Sequence, residues 1–311
     1  MRILVLFVGV FMFGAAFAQA ADSAVARLTV KDPTAFRILQ FTDIHFSAND
    51  EIMADVTNKH LSELMEKVAA EAKPDLIVVT GDSWPEDGDN VDDMKFAVAQ
   101  WSKLGAPWLY AWGNHDQLAD FKVGHDTLTK APNSLYRGGE TNGNYMLDLV
   151  DTSGKLLWQI VCVNTEREGF NQKQQEWLAS LPAATVPRFA FFHIPIKQYG
   201  DVWDNGTANG IIGERPCIEK EDGSALAALK KAGVRACFCG HDHVNDYSGI
   251  IDGVDLVYGR STGGYGAHEE PKGGKLIVLN CLTGTYTWES LSKRGAPWHP
   301  KPGERLNIIP E

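Results

Sequence analysis

Five times along this 311-residue chain an apolar run of the kind that builds a buried strand breaks off and delivers a side chain able to bind a metal ion. Residues 35–41 lead into Thr42-Asp43-Ile44-His45, residues 76–80 into Gly81-Asp82, and residues 107–112 into Gly113-Asn114-His115-Asp116. Residues 188–192 lead into His193, and residues 234–239 into Gly240-His241-Asp242-His243. Amphipathic stretches at 51–72, 91–104 and 172–180, and one running from a cap at Ser224 to Gly233, fall between the apolar runs and carry helical spacing. The alternation predicts a mixed α/β fold. In open α/β sheets the ligand site lies at the carboxyl ends of the strands, so these side chains converge without further assumption. All are oxygen or imidazole donors, which suits two hard or borderline cations held close together.

The first residues read differently from the rest. Met1-Arg2 carries one positive charge, residues 3–17 are apolar, and Ala18-Gln19-Ala20 has the small-x-small form of a signal-peptidase site. Residues 1–20 are therefore expected to be a removed export signal with cleavage after Ala20, and the chain a periplasmic or secreted protein. The apolar stretch falls short of the ~20 residues that span a bilayer, so no stable membrane anchor is expected. Loss of the signal leaves the formal net charge one unit more negative than the −11 of the whole chain. Such acidity argues against nucleic-acid binding. Residues 21–311 are read as one domain with a Pro-rich tail, an extended strap or a loose end, from about 293. Cys162, Cys217, Cys237, Cys239 and Cys281 permit at most two disulfides, and mostly buried thiols are expected.

The middle of the chain is less regular. Turn signals mark residues 121–144 as loops and hairpins, residues 145–150 and 156–164 read as paired strands, and residues 199–216 read as a loop near the site. Beyond the paired histidines, two further hairpins are expected within 249–258 and 275–289, with a Gly-rich loop at 259–266 between them.

The motifs Asp43-x-His45, Gly81-Asp82, Gly113-Asn114-His115-Asp116, His193 and Gly240-His241-x-His243 occur in the order of the calcineurin-like metallophosphoesterases, which the chain resembles over about 36–262. Within that family it looks most like the small purple-acid-phosphatase-like branch of plants and fungi, through Phe191-Phe192-His193-Ile194-Pro195 and Gly240-His241-Asp242-His243-Val244-Asn245-Asp246. The resemblance implies a four-layer α/β/β/α sandwich with mixed sheets. It also implies that one cation takes Asp43, His45 and His243, that the other takes Asn114, His193 and His241, and that Asp82 bridges them. The chemistry implied is hydrolysis of a small-molecule phosphate ester by a hydroxide held between the two ions. His115 would stabilise charge or protonate the leaving group, with Asp116 or Asp43 orienting its ring. One departure stands out: Pro85 takes the place of the tyrosine whose phenolate gives purple acid phosphatases their ferric colour. A colourless centre of two divalent ions, manganese, zinc or iron, is expected.

Monoesters are the favoured substrates on this reading. A phosphodiesterase acting on nucleotides or lipid headgroups, and a metal-binding interaction protein without turnover, are the alternatives. Arg137, Arg215 and Arg260 are candidate phosphate clamps, Arg260 first because it follows the metal motifs most closely. Asn114 and His115 are the other candidate substrate contacts. The sequence carries no signal for oligomeric state.

Overall fold

The computed structural model describes residues 25–47, 54–85, 90–263, 272–292, 295–298 and 303–307. The expected export signal lies outside them. Among the described residues, fifteen strands form two mixed sheets. In chain order the elements are β1 Val25–Thr29, β2 Phe36–Phe41, α1 Ala54–Ala72, β3 Leu76–Val79, α2 Val91–Ser102, β4 Trp108–Tyr110 and α3 Phe121–Lys130. There follow β5 Tyr145–Val150, β6 Leu156–Cys162, α4 Gln172–Ser180, β7 Arg188–Phe191, α5 Gln198–Asp204, β8 Asn209–Ile212, α6 Ala225–Lys231 and β9 Val234–Cys239. The chain closes with β10 Asp246–Ile251, β11 Val254–Tyr258, β12 Gly273–Asn280, β13 Thr285–Ser292, β14 Gly295–Trp298 and β15 Arg305–Asn307.

The smaller sheet runs β14-β13-β12-β2-β3-β4, with β2, β3 and β4 parallel. The larger runs β1-β5-β6-β7-β9-β11-β10-β8-β15, with a parallel heart β6-β7-β9-β11. Side-chain alternation shows how they stack. In β7, Phe189 and Phe191 enter the core shared with Ile38, Leu39 and Phe41 of the smaller sheet. Ala190, and Phe192 just beyond the strand, face the other way, onto Leu178 of α4, Val202 of α5 and Leu229 of α6. Strand β9 repeats this, with Ala236 and Phe238 inward and Cys237 and Cys239 under the helices. On the far side, Leu64, Met65 and Val68 of α1 and Met94 and Trp101 of α2 cover the smaller sheet. The architecture is the expected α/β/β/α sandwich.

Several elements depart from the sequence reading. Residues 121–130 form a helix, started by Asp120, whose side chain accepts from Lys122 N. Residues 198–204 form α5, and β8 pairs antiparallel with β10, so the expected loop at 199–216 shrinks to two short pieces, 205–208 and 213–216. Strand β1, which pairs in parallel with β5, was not anticipated. Ser224 does precede α6, but its hydroxyl bonds Asp222; Glu221 accepts from Ala225 N in its place. The tail beyond 293 straps both sheets, since β14 extends the smaller one along β13 and β15 extends the larger along β8. All five cysteines are free thiols, with Cys162, Cys237 and Cys239 buried and Cys217 exposed.

Candidate metal centre

Three of the five strand ends, those after β2, β3 and β9, approach the site through backbone that L-residues rarely adopt. Asp43, His45, Asp82 and His241 all have positive φ, between 52° and 77°. Such conformations cost energy and persist only where the surroundings hold them. Here the holders are visible. Asp43 N donates to Gly81 O at 3.1 Å, His45 N to Asp82 O at 3.0 Å, and Phe46 N to Ser83 O at 2.9 Å, zipping the turn after β2 to the turn after β3. Asp116 ties in the third turn: its carboxylate accepts from Asp82 N, Ser83 N and Gly113 N at 2.7–2.9 Å and from the Tyr110 hydroxyl at 2.5 Å. Its described partners are thus the backbone of the motif loops and a tyrosine, and the role of orienting the His115 ring is not among them. Burial and the nearby Asp82 charge push Asp116 up to about 6.

Two groups of ligand atoms converge. In one, His45 Nε2 and His243 Nε2 lie 3.3 Å apart, with Asp43 Oδ1 3.6 Å from His243 Nε2 and Asp82 Oδ2 3.9 Å from His45 Nε2. In the other, His193 Nε2 lies 3.2 Å from His241 Nδ1 and 3.1 Å from Asp82 Oδ2. Asp82 belongs to both groups. Asn114 Oδ1 is buried without a hydrogen-bond partner. A buried carbonyl oxygen left unpaired costs free energy unless something binds it.

The protonation pattern suits cations as well. Burial lowers His45 and His241 to about 3, so both rings are neutral donors. Burial also pushes His193 down, but the Asp82 and Asp43 carboxylates outweigh it and hold the ring at about 10, while Asp82 falls well below the usual carboxylate range. His193 Nδ1 donates to Thr80 O at 2.7 Å, which aims Nε2 at Asp82. A hydrogen bond on the far nitrogen is how metal-bound imidazoles are normally fixed. The residues present therefore fit a pair of cations sharing one carboxylate.

The other candidates separate from this cluster or sit at its border. His115 N donates to Asp82 Oδ1 at 2.9 Å, and its ring lies edge-on to His45 with centroids 5.4 Å apart. Arg260 is buried, with Nη1 3.4 Å from Asp246 Oδ2, so its guanidinium is engaged behind the site. Arg215 pairs with Asp204 at 2.6 Å on the surface. Asp242, between the two ligand histidines, is buried and accepts from Cys217 N and the Tyr258 hydroxyl. Sequence reasoning missed Thr80, Tyr110 and Tyr258 as supports and missed Glu219, whose carboxylate lies 3.9 Å from His241 Nε2. None of these belongs to a motif, and only their tertiary neighbours single them out.

A profile of the calcineurin-like phosphoesterases matches residues 36–245. The chain is similar to two Arabidopsis thaliana proteins named "Probable inactive purple acid phosphatase 14" and "Probable inactive purple acid phosphatase 29". It is 27% identical to the first, over 74% of this chain and 72% of the relative, and 28% identical to the second, over 77% and 74%. It is also 26% identical to "Phosphatase DCR2" of Saccharomyces cerevisiae, over 73% of this chain and 47% of that protein. Among solved structures, a dimetal phosphatase from Danio rerio shares the fold with a TM-score of 0.51 at 13% identity, covering 80% of this chain and 93% of that one.

Proposed function

The chain belongs to the calcineurin-like phosphoesterase family, and on that premise we propose that it is an exported enzyme hydrolysing small phosphate esters, monoesters in preference, at a centre of two divalent cations. The observation that carries this reading is the sharing of Asp82 between two convergent ligand groups. Asp43, His45, His243 and Asp82 would hold one cation, and Asp82, Asn114, His193 and His241 the other. Manganese, zinc and iron all accept such donors. When bound, a cation pair neutralises ester oxygens and makes water a nucleophile near neutral pH.

The chain's own residues supply the rest. The Asp116 carboxylate holds three motif loops in register. The Thr80 carbonyl fixes the tautomer of His193. The His115 ring, half-buried beside His45, is the group assigned to give a proton to the departing alkoxide. Export is supported by the apolar stretch 3–17 ahead of Ala18-Gln19-Ala20. With Pro85 where the purple enzymes carry tyrosine, the loaded protein is expected to be colourless.

The test is hydrolysis of p-nitrophenyl phosphate, bis-p-nitrophenyl phosphate and cyclic nucleotides by protein loaded with manganese, zinc or iron. Monoester hydrolysis should dominate, and His115→Ala should reduce kcat by roughly 10²–10⁴-fold. A hundredfold preference for the diester would overturn the substrate class, and undiminished His115→Ala turnover would remove the assigned role. The plant relatives named inactive favour a second reading, cation binding without turnover. Protein that holds two cations yet hydrolyses none of these substrates would establish it.

A further inference from the structure

His241 presents two faces. Its Nδ1 points at His193 in the centre, 3.2 Å away, while Nε2 points out toward the segment after β8. There Glu219 Oε1 lies 3.9 Å from Nε2, and Cys217 Sγ lies 3.4 Å from the same carboxylate oxygen. The three side chains form a separate group of convergent ligand atoms. In a tetrahedral zinc site, bond lengths of 2.0–2.3 Å place ligand atoms roughly 3.3–3.6 Å apart. The Cys217–Glu219 separation falls in that range, the His241–Glu219 separation lies somewhat beyond it, and the three ligand atoms all lie within 4.8 Å of one another.

The segment that carries Cys217 and Glu219 is held at both ends. Cys217 N donates to Asp242 Oδ1 at 3.1 Å, anchoring the thiol to the turn between the two ligand histidines. Lys220 N donates to Glu168 O, and Glu221 N to Ile218 O. Glu219 has φ of +53°, a conformation that L-residues adopt only when constrained. The backbone that carries its carboxylate is therefore held by the fold. Cys217 also differs from the other described cysteines, which are buried or half-buried.

We propose that Cys217, Glu219 and His241 Nε2 form a third cation site at the rim of the centre, selective for a thiophilic divalent ion of the zinc type. Thiolate chemistry separates it from the inner pair, whose donors are oxygen and imidazole only, and predicts indifference to manganese. Binding displaces the thiol proton and the proton on Nε2 to solvent, and a water completes the coordination. Because the ring must give up its second proton, the rim ion binds more weakly than the inner pair. Charge drawn through the shared imidazole makes excess zinc an inhibitor. The inference rests on reading His241 as an inner ligand through Nδ1.

The test uses the metal-free full chain, equilibrated with manganese or with zinc, and counts metal per chain. Two manganese and three zinc are expected, with a thiolate-to-cadmium charge-transfer band when cadmium is added to the manganese-loaded protein. Cys217→Ser, at an exposed position, should hold two of either metal, lack the band, and need at least tenfold more zinc for inhibition. Glu219→Gln should weaken the third zinc in the same direction. Wild-type protein that stops at two zinc ions, or a Cys217→Ser variant that keeps three, would overturn the rim site. Fewer than two manganese per chain would count against the inner pair, and zinc lost with Cys217 would still decide the rim site separately.

Discussion

At the scale of single residues, the centre is organised around an unusual histidine. His193 is fully buried, and burial alone would keep its ring neutral, but the Asp82 and Asp43 carboxylates raise it to about 10. In metal-free protein near neutral pH the ring is an imidazolium, donating to Thr80 O from Nδ1 and facing Asp82 from Nε2. A proton thus stands where a cation would sit. Cation binding must expel it, because only the neutral ring is a ligand. The sign follows directly: the group's folded value lies above neutral pH, so cation affinity should rise about tenfold per pH unit until the ring titrates near 10. Calorimetry at pH 8 in buffers of different protonation enthalpy should find at least one proton released on loading the inner pair, and His193→Gln should lower the release by one. Loading without proton release would refute the assignment. The ligand residue types were legible in the sequence. The imidazolium was not, since it arises from charges that lie 111 and 150 residues away along the chain.

At the scale of elements, the strands were read well and their connections less so. Apolar runs such as 76–79 and 234–239 declare themselves, because a strand buried on both faces leaves no room for polar alternation. Helix α3 was hidden by turn-forming residues around it, and α5 with β8 by a Gly- and Asn-rich composition that normally marks loops. In both places tertiary packing overrode local propensity: Leu128 is buried in the main core, while Tyr199, Val202 and Trp203 are buried under β10. Where strands turn into site loops, the tolerance is smaller still. A Cβ added at Gly113 would collide with the Asp82 carboxylate and with Asp82 N. Gly113→Ala should therefore displace the shared ligand while leaving both sheets intact. Metal content should fall below one ion per chain with an unchanged far-ultraviolet circular dichroism spectrum; two retained ions would show that the loop yields without moving Asp82.

At the scale of the whole molecule, the two sheets are joined by charge as well as by apolar packing. Asp246 of β10 in the larger sheet meets Lys275 Nζ of β12 in the smaller at 2.5 Å and Ser290 of β13, with Arg260 Nη1 3.4 Å away. All four side chains are buried. Burial works against the Asp246 charge, but Lys275 and Arg260 outweigh it and lower its pKa. This stabilisation is present above the unfolded carboxylate value of 3.8 and is lost as pH falls through the lower folded value. Arg260, a clamp candidate by sequence position, contributes here to the seam. The segment that follows it reaches the centre, because Thr262 N donates to Thr42 O and Gly263 N to Asp43 O. Asp246→Ala leaves two cations buried without their anion, and should cost roughly 3–5 kcal/mol in urea unfolding. A loss below 1 kcal/mol would show that water or local rearrangement replaces the carboxylate.

The order of strands and ligands, the donor types at each strand end and the family resemblance were all determined by the sequence alone, because each is a local pattern of apolar run, turn and polar group. Tertiary structure alone decided that Asp116 braces backbone where a ring had been expected, that Arg260 is bound to Asp246, and that Cys217 and Glu219 stand at the outer face of His241. These are relations between segments far apart in the chain. The physical reason is that a side chain's role depends on the charges and donors that burial brings within a few ångströms of it, and the linear order of residues does not record those neighbours.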